Sequence, residues 1–243
     1  MQNGARLLGV GVGPGDPELI TLKAMRALNA ADVVAFFAKA GNASHSRATA
    51  AAHVRPDLIE LPLIYPFTTE IPKCSAEYRD AIAAFYDEAA RTVAAHLEAG
   101  RTVAVVCEGD PLFYGSYMHL HVRLAPRFAA EIVAGVSGMS GCWSSAGLPI
   151  AQGDDVFTVL PATLPEDELT RRLSDADAAV VMKVGRHLPK LRRALACSGR
   201  FAHALYVEHG TTAKAKTIPL AAKLDDEAAY FAVVLVPGWE SKP

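Results

Sequence analysis

Residues Val103–Cys107 read VAVVC, five apolar residues with no polar break. A strand with one face in water alternates polar and apolar side chains. This run does not, so both of its faces must be covered by other parts of the chain. Further largely apolar runs fall within Arg6–Val12, Asp32–Phe37, Leu58–Leu61, Ala130–Ala134, Val156–Leu160, Ala178–Val184, Ala204–Val207 and Phe231–Val236. Helix-spaced segments lie between several of them. Thr21–Ala30 opens on Thr21 as an N-cap. In Ala76–Ala99, Tyr78, Ile82, Phe85, Ala89, Val93 and Leu97 recur every three or four residues, and Gly100 ends the helix. A basic helix is expected over His187–Cys197. Doubly covered strands alternating with helices predict an α/β chain with a largely parallel sheet.

With 243 residues, 51% hydrophobic and 21% charged, the chain can bury one large core or two smaller ones. Pro126 marks a hinge, after which the strand and helix pattern restarts. The expectation is two α/β domains, residues 1–127 and 128–243. A net charge of −2 provides no long-range attraction for nucleic acid, and no basic stripe interleaved with aromatics is present. The opening MQNGARLLGVGVG lacks the charged leader and apolar block of a signal peptide. The longest uncharged stretch, around residues 132–151, carries glycines, serines and Pro149 and does not read as a membrane span. Cys74, Cys107, Cys142 and Cys197 lie far apart, which suits a reducing compartment and offers no metal-ligand spacing. A soluble cytoplasmic protein without a structural metal is expected.

The first glycine motif, GVGVGPGDPELITLKA over Gly9–Ala24, superficially suggests a dinucleotide cradle. Such a cradle needs glycine at the sixth position and free N–H groups facing a pyrophosphate. The sixth residue from Gly9 is Pro14, which has no N–H, and Asp16 and Glu18 would repel phosphate. The second strand also ends in Phe36 and Phe37, not in a ribose-binding acid. A nicotinamide-dependent oxidoreductase is disfavoured on these grounds. Taken alone, the loop reads as a tight strand-to-helix turn.

Three further motifs change that reading: VVCEGDPLFYGSYMHL at Val105–Leu120, VAGVSGMSGCWSSAGLPIAQ at Val133–Gln152, and YVEHGTTAKAKTI at Tyr206–Ile218. Their order and spacing resemble the tetrapyrrole methylase family. That family shows a GxGPGD loop, a GDPxxYG loop after a buried strand, a PGVSS-like loop and an ERGT-like segment. Ala134, Gly138 and His209 depart from its pattern. Glu108 before the GDP, the YGSYMHL continuation, IYPFTTEIP (Ile64–Pro72) and FTVLPATLPE (Phe157–Glu166) are similar to the branch that methylates C-20 of precorrin-2. The alternative within the family is a uroporphyrinogen-III or precorrin-4 type methylase, against which Glu108 and YGSYMHL count. A ribosomal RNA methylase of related fold would show basic enrichment that is absent here. A non-catalytic tetrapyrrole carrier would share the binding motifs.

The resemblance implies two α/β domains with S-adenosyl-L-methionine held in the cleft between them. It implies cofactor contacts from Pro14 on the first loop, from Glu108, Gly109, Asp110 and Phe113 on the second, and from Ser137 and Gly138 on the third. Val184, Gly210 and Thr211 complete the implied set. It further implies a reduced tetrapyrrole substrate, precorrin-2 or its cobalt form, and a homodimer. The methylated meso carbon must lose a proton, so a base is expected. Glu108, Tyr114 and Asp16 are the candidates. Glu108 follows a buried strand, where its pKa should rise. Asp16 can equally cap the turn before Pro17, and Tyr114 can equally be a packed ring. Lys39, His45, Arg47, Lys73, Lys183 and Arg186 are candidate partners for substrate carboxylates. His119 and His121, two residues apart on a helix, should point to different faces and not form a ligand pair.

Overall fold

In a computed structural model, which describes residues 4–66 and 75–238, the chain divides into two compact units, Met1–Gly138 and Met139–Pro243. The expected boundary at 127/128 is too early. The strand after it pairs with the first strand of the chain and so belongs to the first unit.

The first unit is an all-parallel sheet of β1 (Leu7–Gly11), β2 (Val33–Lys39), β3 (Ile59–Tyr65), β4 (Val103–Cys107) and β5 (Ala130–Val133), in the order β3-β2-β4-β1-β5. Its helices are α1 (Leu22–Ala30), α2 (His45–Thr49), α3 (Ala76–Glu98) and α4 (Tyr117–Leu124). Both faces are covered, as the apolar runs demand. Leu7, Val33, Val103 and Val105 pack with Ala90, Val93 and Leu97 of α3 and Leu120 and Leu124 of α4. Their alternates Leu8, Val10, Val34, Ala104 and Val106 pack with Ala24 and Leu28 of α1. The alternation follows from the strand period of two.

Local chemistry sets the helix ends. Thr21 caps α1 by accepting the Ala24 N–H at 3.1 Å, and Ser75 caps α3 by accepting the Tyr78 N–H at 3.1 Å. At the far end of α3, Gly100 adopts φ 81°, and the Gly100 and Arg101 N–H groups donate to the Leu97 and His96 carbonyls. That is the six-to-one and five-to-two pairing of a Schellman end, which a residue with a Cβ resists.

The second unit is mixed, not parallel. Strands β6 (Phe157–Pro161), β7 (Ala178–Met182), β8 (Leu205–Glu208), β9 (Lys216–Pro219) and β10 (Ala232–Val236) run in the order β6-β7-β10-β8-β9. Only β6 and β7 are parallel. Helices α6 (Glu166–Asp175) and α7 (Leu188–Cys197) cover one face through Leu169, Leu173, Leu191 and Leu195. Helix α5 (Gly138–Ala146) covers the other, with Cys142 and Trp143 against Val180, Val207 and Leu235.

Candidate functional site

Strands β1 and β4 are neighbours, yet the helices that follow them lie on opposite faces of the sheet: α1 with one core cluster, α4 with the other. Connections that diverge in this way open a crevice at the carboxyl ends of the two strands, where open parallel sheets receive ligands. The GxGPGD and GDP motifs are the loops leaving those two ends, and the GVSG motif leaves β5 beside them.

The three loops meet through bare backbone. A Cβ on Gly11 would lie 2.6 Å from both the Gly109 carbonyl oxygen and the Gly135 nitrogen. One on Gly135 would lie 2.1 Å from the Gly109 oxygen. Gly13 and Gly109 form a bridge in which the Gly109 N–H donates to the Gly13 carbonyl at 2.8 Å. Gly109 has φ 63°, and a Cβ there would touch the Gly138 nitrogen at 3.3 Å and the Ser137 Cα at 3.6 Å. Asp110 ties the loops electrostatically: its carboxylate accepts the Leu112 N–H at 2.9 Å and the Gly135 N–H at 3.2 Å. The structure therefore brings Gly109, Asp110, Ser137 and Gly138 together. Pro14 stands half-buried between Gly13 and Gly15, both at positive φ. Phe113 donates its N–H to the Asp110 carbonyl at 3.3 Å, with its ring edge-on to Tyr114 at 4.9 Å.

The three candidate bases have different surroundings. Asp16 accepts the Glu18 N–H at 2.9 Å and caps the turn Pro17–Leu19, so its carboxylate already has a structural partner. Tyr114 is exposed and held at φ 54°. Glu108 presents surface to solvent, yet protein crowds it closely, and the resulting desolvation pushes its carboxyl up to about 7. A hydrogen bond from the Ser46 backbone N–H, at the start of α2, pulls the other way. Its acidity near neutrality is what a proton acceptor requires.

In the second unit, β7 stops at Met182, two residues short of the expected Val184. Lys183 turns the chain at φ 57°, and Val184 is buried in the core at 1% exposure. Val184 can thus offer a ligand only its backbone. Thr211 donates its N–H to the Ser145 hydroxyl at 2.7 Å, while its own Oγ1 is buried without a hydrogen-bond partner among the described residues. A Cβ on Gly210 would meet the Cys142 sulfur at 2.9 Å.

Backbone strain coincides with these motifs. Among the described residues, the non-glycine ones at positive φ are Tyr114, Lys183, His209 and Thr211. Each sits in or beside a loop singled out from sequence. Such conformations persist where surroundings over-determine them, and they cluster at ligand sites.

Of the candidate carboxylate partners, Arg47 is engaged by Glu60 at 2.5 Å. Arg186 is exposed after the Gly185 turn, and Lys73 lies outside the described residues, as does most of Ile64–Pro72. His119 stacks on Tyr86 at 4.0 Å, whereas His121 pairs with the Tyr117 hydroxyl at 3.2 Å, so the two histidines have separate partners. Sequence reading missed Gly135, Ser46 and Ser145. Gly135 and Ser145 lay within a recognised motif, but Ser46 reaches the site only through folding and leaves no spacing signal.

Comparison with known proteins places the chain in a family. The family model described as Tetrapyrrole (Corrin/Porphyrin) Methylases matches residues 6–225. A precorrin-2 C(20)-methyltransferase from Sinorhizobium sp is 63% identical over 98% of this chain and 97% of its own length. A cobalt-precorrin-2 C(20)-methyltransferase from Salmonella typhimurium is 28% identical over 97% of this chain and 98% of its own. Among solved structures, a cobalt precorrin-4 methyltransferase superposes with a TM-score of 0.73 at 23% identity, covering 98% of this chain and 96% of that one. A Thermus thermophilus uroporphyrin-III C-methyl transferase complexed with S-adenyl homocysteine gives a TM-score of 0.65 at 22% identity, over 96% of this chain and 92% of that one.

Proposed function

Because the chain belongs to the tetrapyrrole methylase family, we propose that it transfers a methyl group from S-adenosyl-L-methionine to the C-20 meso carbon of precorrin-2, a step of cobalamin biosynthesis. The observation that carries the reading is the convergence, at the carboxyl ends of β1, β4 and β5, of three motif loops packed backbone to backbone at Gly11, Gly109 and Gly135. At Gly138, where a Cβ would meet nothing within 4 Å, bare backbone leaves room for a flat adenosyl group to approach closely. The unpartnered Thr211 hydroxyl also suits a polar ligand. These features fit the donor, which supplies, when bound, a methyl already activated on a sulfonium.

The residues then have three tasks. Pro14, Gly109, Asp110, Phe113, Ser137 and Gly138 hold the donor, and the family resemblance assigns Val184, Gly210 and Thr211 to it as well. Alignment and exclusion of water supply most of the rate. As the new C–C bond forms at C-20 and the S–CH3 bond breaks, C-20 loses its proton. Glu108 accepts that proton, directly or through one water, and its pKa near neutrality suits the transfer. Tyr114 and Asp16 are secondary candidates, and Asp16 is the weaker because it caps a turn.

The metal-free substrate is favoured over the cobalt complex by the much greater likeness to the Sinorhizobium protein. We further propose a homodimer acting in the cytoplasm. Among the described residues no helix is long and apolar enough to cross a membrane. Incubation with methyl-labelled donor and either precorrin-2 or its cobalt complex, followed by NMR, should place the label at C-20. Label at another ring position would overturn the regiochemistry. Tight binding of NAD with no calorimetric response to S-adenosylhomocysteine would overturn the cofactor. Light scattering should give twice the mass of one chain.

A further inference from the structure

Ser116 occupies the N-cap position of α4 but does not cap it: its backbone is helical and its hydroxyl bonds no helix N–H. Serine at that position normally accepts the N–H of the second or third helical residue. Here the hydroxyl is paired with the hydroxyl of Tyr65, 51 residues earlier in the chain. Tyr65 ends β3, the edge strand, and β2 lies between it and β4. The pair therefore reaches across β2 to the segment that follows β4.

Tyr65 is firmly placed to do this. Its ring stacks on Phe37 at 5.5 Å and lies against Phe85 at 4.7 Å, and its hydroxyl also meets that of Tyr86 at 3.3 Å. The GDP segment is thus fastened at both flanks. Asp110 ties one flank to Gly135, and Ser116 ties the other to Tyr65. Between the two ties lie Tyr114, at φ 54°, and Gly115, where a Cβ would fall 2.8 Å from the Pro111 carbonyl oxygen. A bulky residue holds a left-handed conformation only when its surroundings impose it.

We infer that Tyr65 is a positioning residue for the methyl donor, its hydroxyl acting through Ser116 to hold the segment Asp110–Ser116 in its binding shape. This rests on the proposed cofactor site. Tyr65→Phe keeps the ring packing and removes only the hydroxyl, and Ser116→Ala removes the other half of the pair.

Calorimetry with S-adenosylhomocysteine on the full chain should show about a fivefold weaker Kd for each variant, the effect of losing one net hydrogen bond. The Tm should fall by no more than about 4 °C, the effect of the same hydrogen bond on a chain of this size. Tyr65→Phe combined with Ser116→Ala should be no weaker than either alone, because the two remove the same interaction. Ser116→Thr should restore the parental Kd. Unchanged affinity in Tyr65→Phe, effects that multiply in the double variant, or a large fall in Tm with Kd unchanged would each overturn the inference. If the parent protein itself does not bind S-adenosylhomocysteine, it is the cofactor reading that fails.

Discussion

The Asp110 carboxylate accepts the Gly135 N–H at 3.2 Å, so a single side chain joins the segment after β4 to the segment after β5. Its other oxygen accepts the Leu112 N–H at 2.9 Å. Asp110→Asn keeps the shape but turns an NH2 group towards one of the two donors. The variant should lose about 1–2 kcal/mol in urea unfolding and bind S-adenosylhomocysteine about tenfold more weakly. Parental values for both would mean that the carboxylate ties nothing.

Glu108 gives a pH signature. Its carboxyl is raised from 4.5 to about 7, chiefly by desolvation. A raised acid favours the folded state fully below the unfolded pKa, and that contribution is lost as the pH climbs through about 7. The Tm of the parent relative to Glu108→Gln should therefore decline between pH 5 and pH 8. Turnover should rise with pH around 7 in the parent and fall by roughly 100-fold in Glu108→Gln, the range for loss of a general base. A variant with near-parental turnover would assign proton loss to solvent.

Gly135 is a packing limit. A methyl there would lie 2.1 Å from the Gly109 carbonyl oxygen and 2.9 Å from the backbone of Gly11. No flexible side chain is available to move aside. Gly135→Ala should cost about 3 kcal/mol or more, read by denaturant unfolding, whereas Gly138→Ala, with nothing within 4 Å, should leave stability nearly unchanged.

Arg192 clamps the segment before β10. Its guanidinium donates to the carbonyls of Leu220, Lys223 and Asp225 and pairs with Asp226 at 3.2 Å. Lysine has one point of charge and cannot form that fork. Arg192→Lys should lower stability by about 2 kcal/mol, and hydrogen exchange should quicken in residues 220–230 specifically.

Much of this was legible in the sequence, for identifiable reasons. The Val103–Cys107 run announced its double burial because neither face carries a polar side chain. Thr21 and Gly100 marked helix ends because their chemistry there is local. Glu108 was expected to have a raised pKa from its place after a buried strand, and it does. Long-range pairing was not legible. The boundary after Pro126 was misplaced because nothing in AEIV says that it pairs with β1. Val184 was assigned to a strand because an apolar residue resumes after Lys183, while the left-handed turn at Lys183 has no compositional mark. The pairing of the Ser116 hydroxyl with Tyr65, 51 residues earlier, likewise leaves no mark in the sequence.

The strand order has a kinetic consequence. Leu7 of β1 lies opposite Val103 on one side and Ala130 on the other. Strand β1 is thus made first but has no partner until β4, at Val103–Cys107, exists. Pairings so distant along the chain close slowly, because the loop entropy must be met before the contacts form. In the second unit, β8 and β9 meet across a short connection, Glu208 opposite Lys216. The later-synthesised unit is thus expected to acquire its first pairings faster than the earlier one, leaving β1 exposed to wrong partners for longest during refolding.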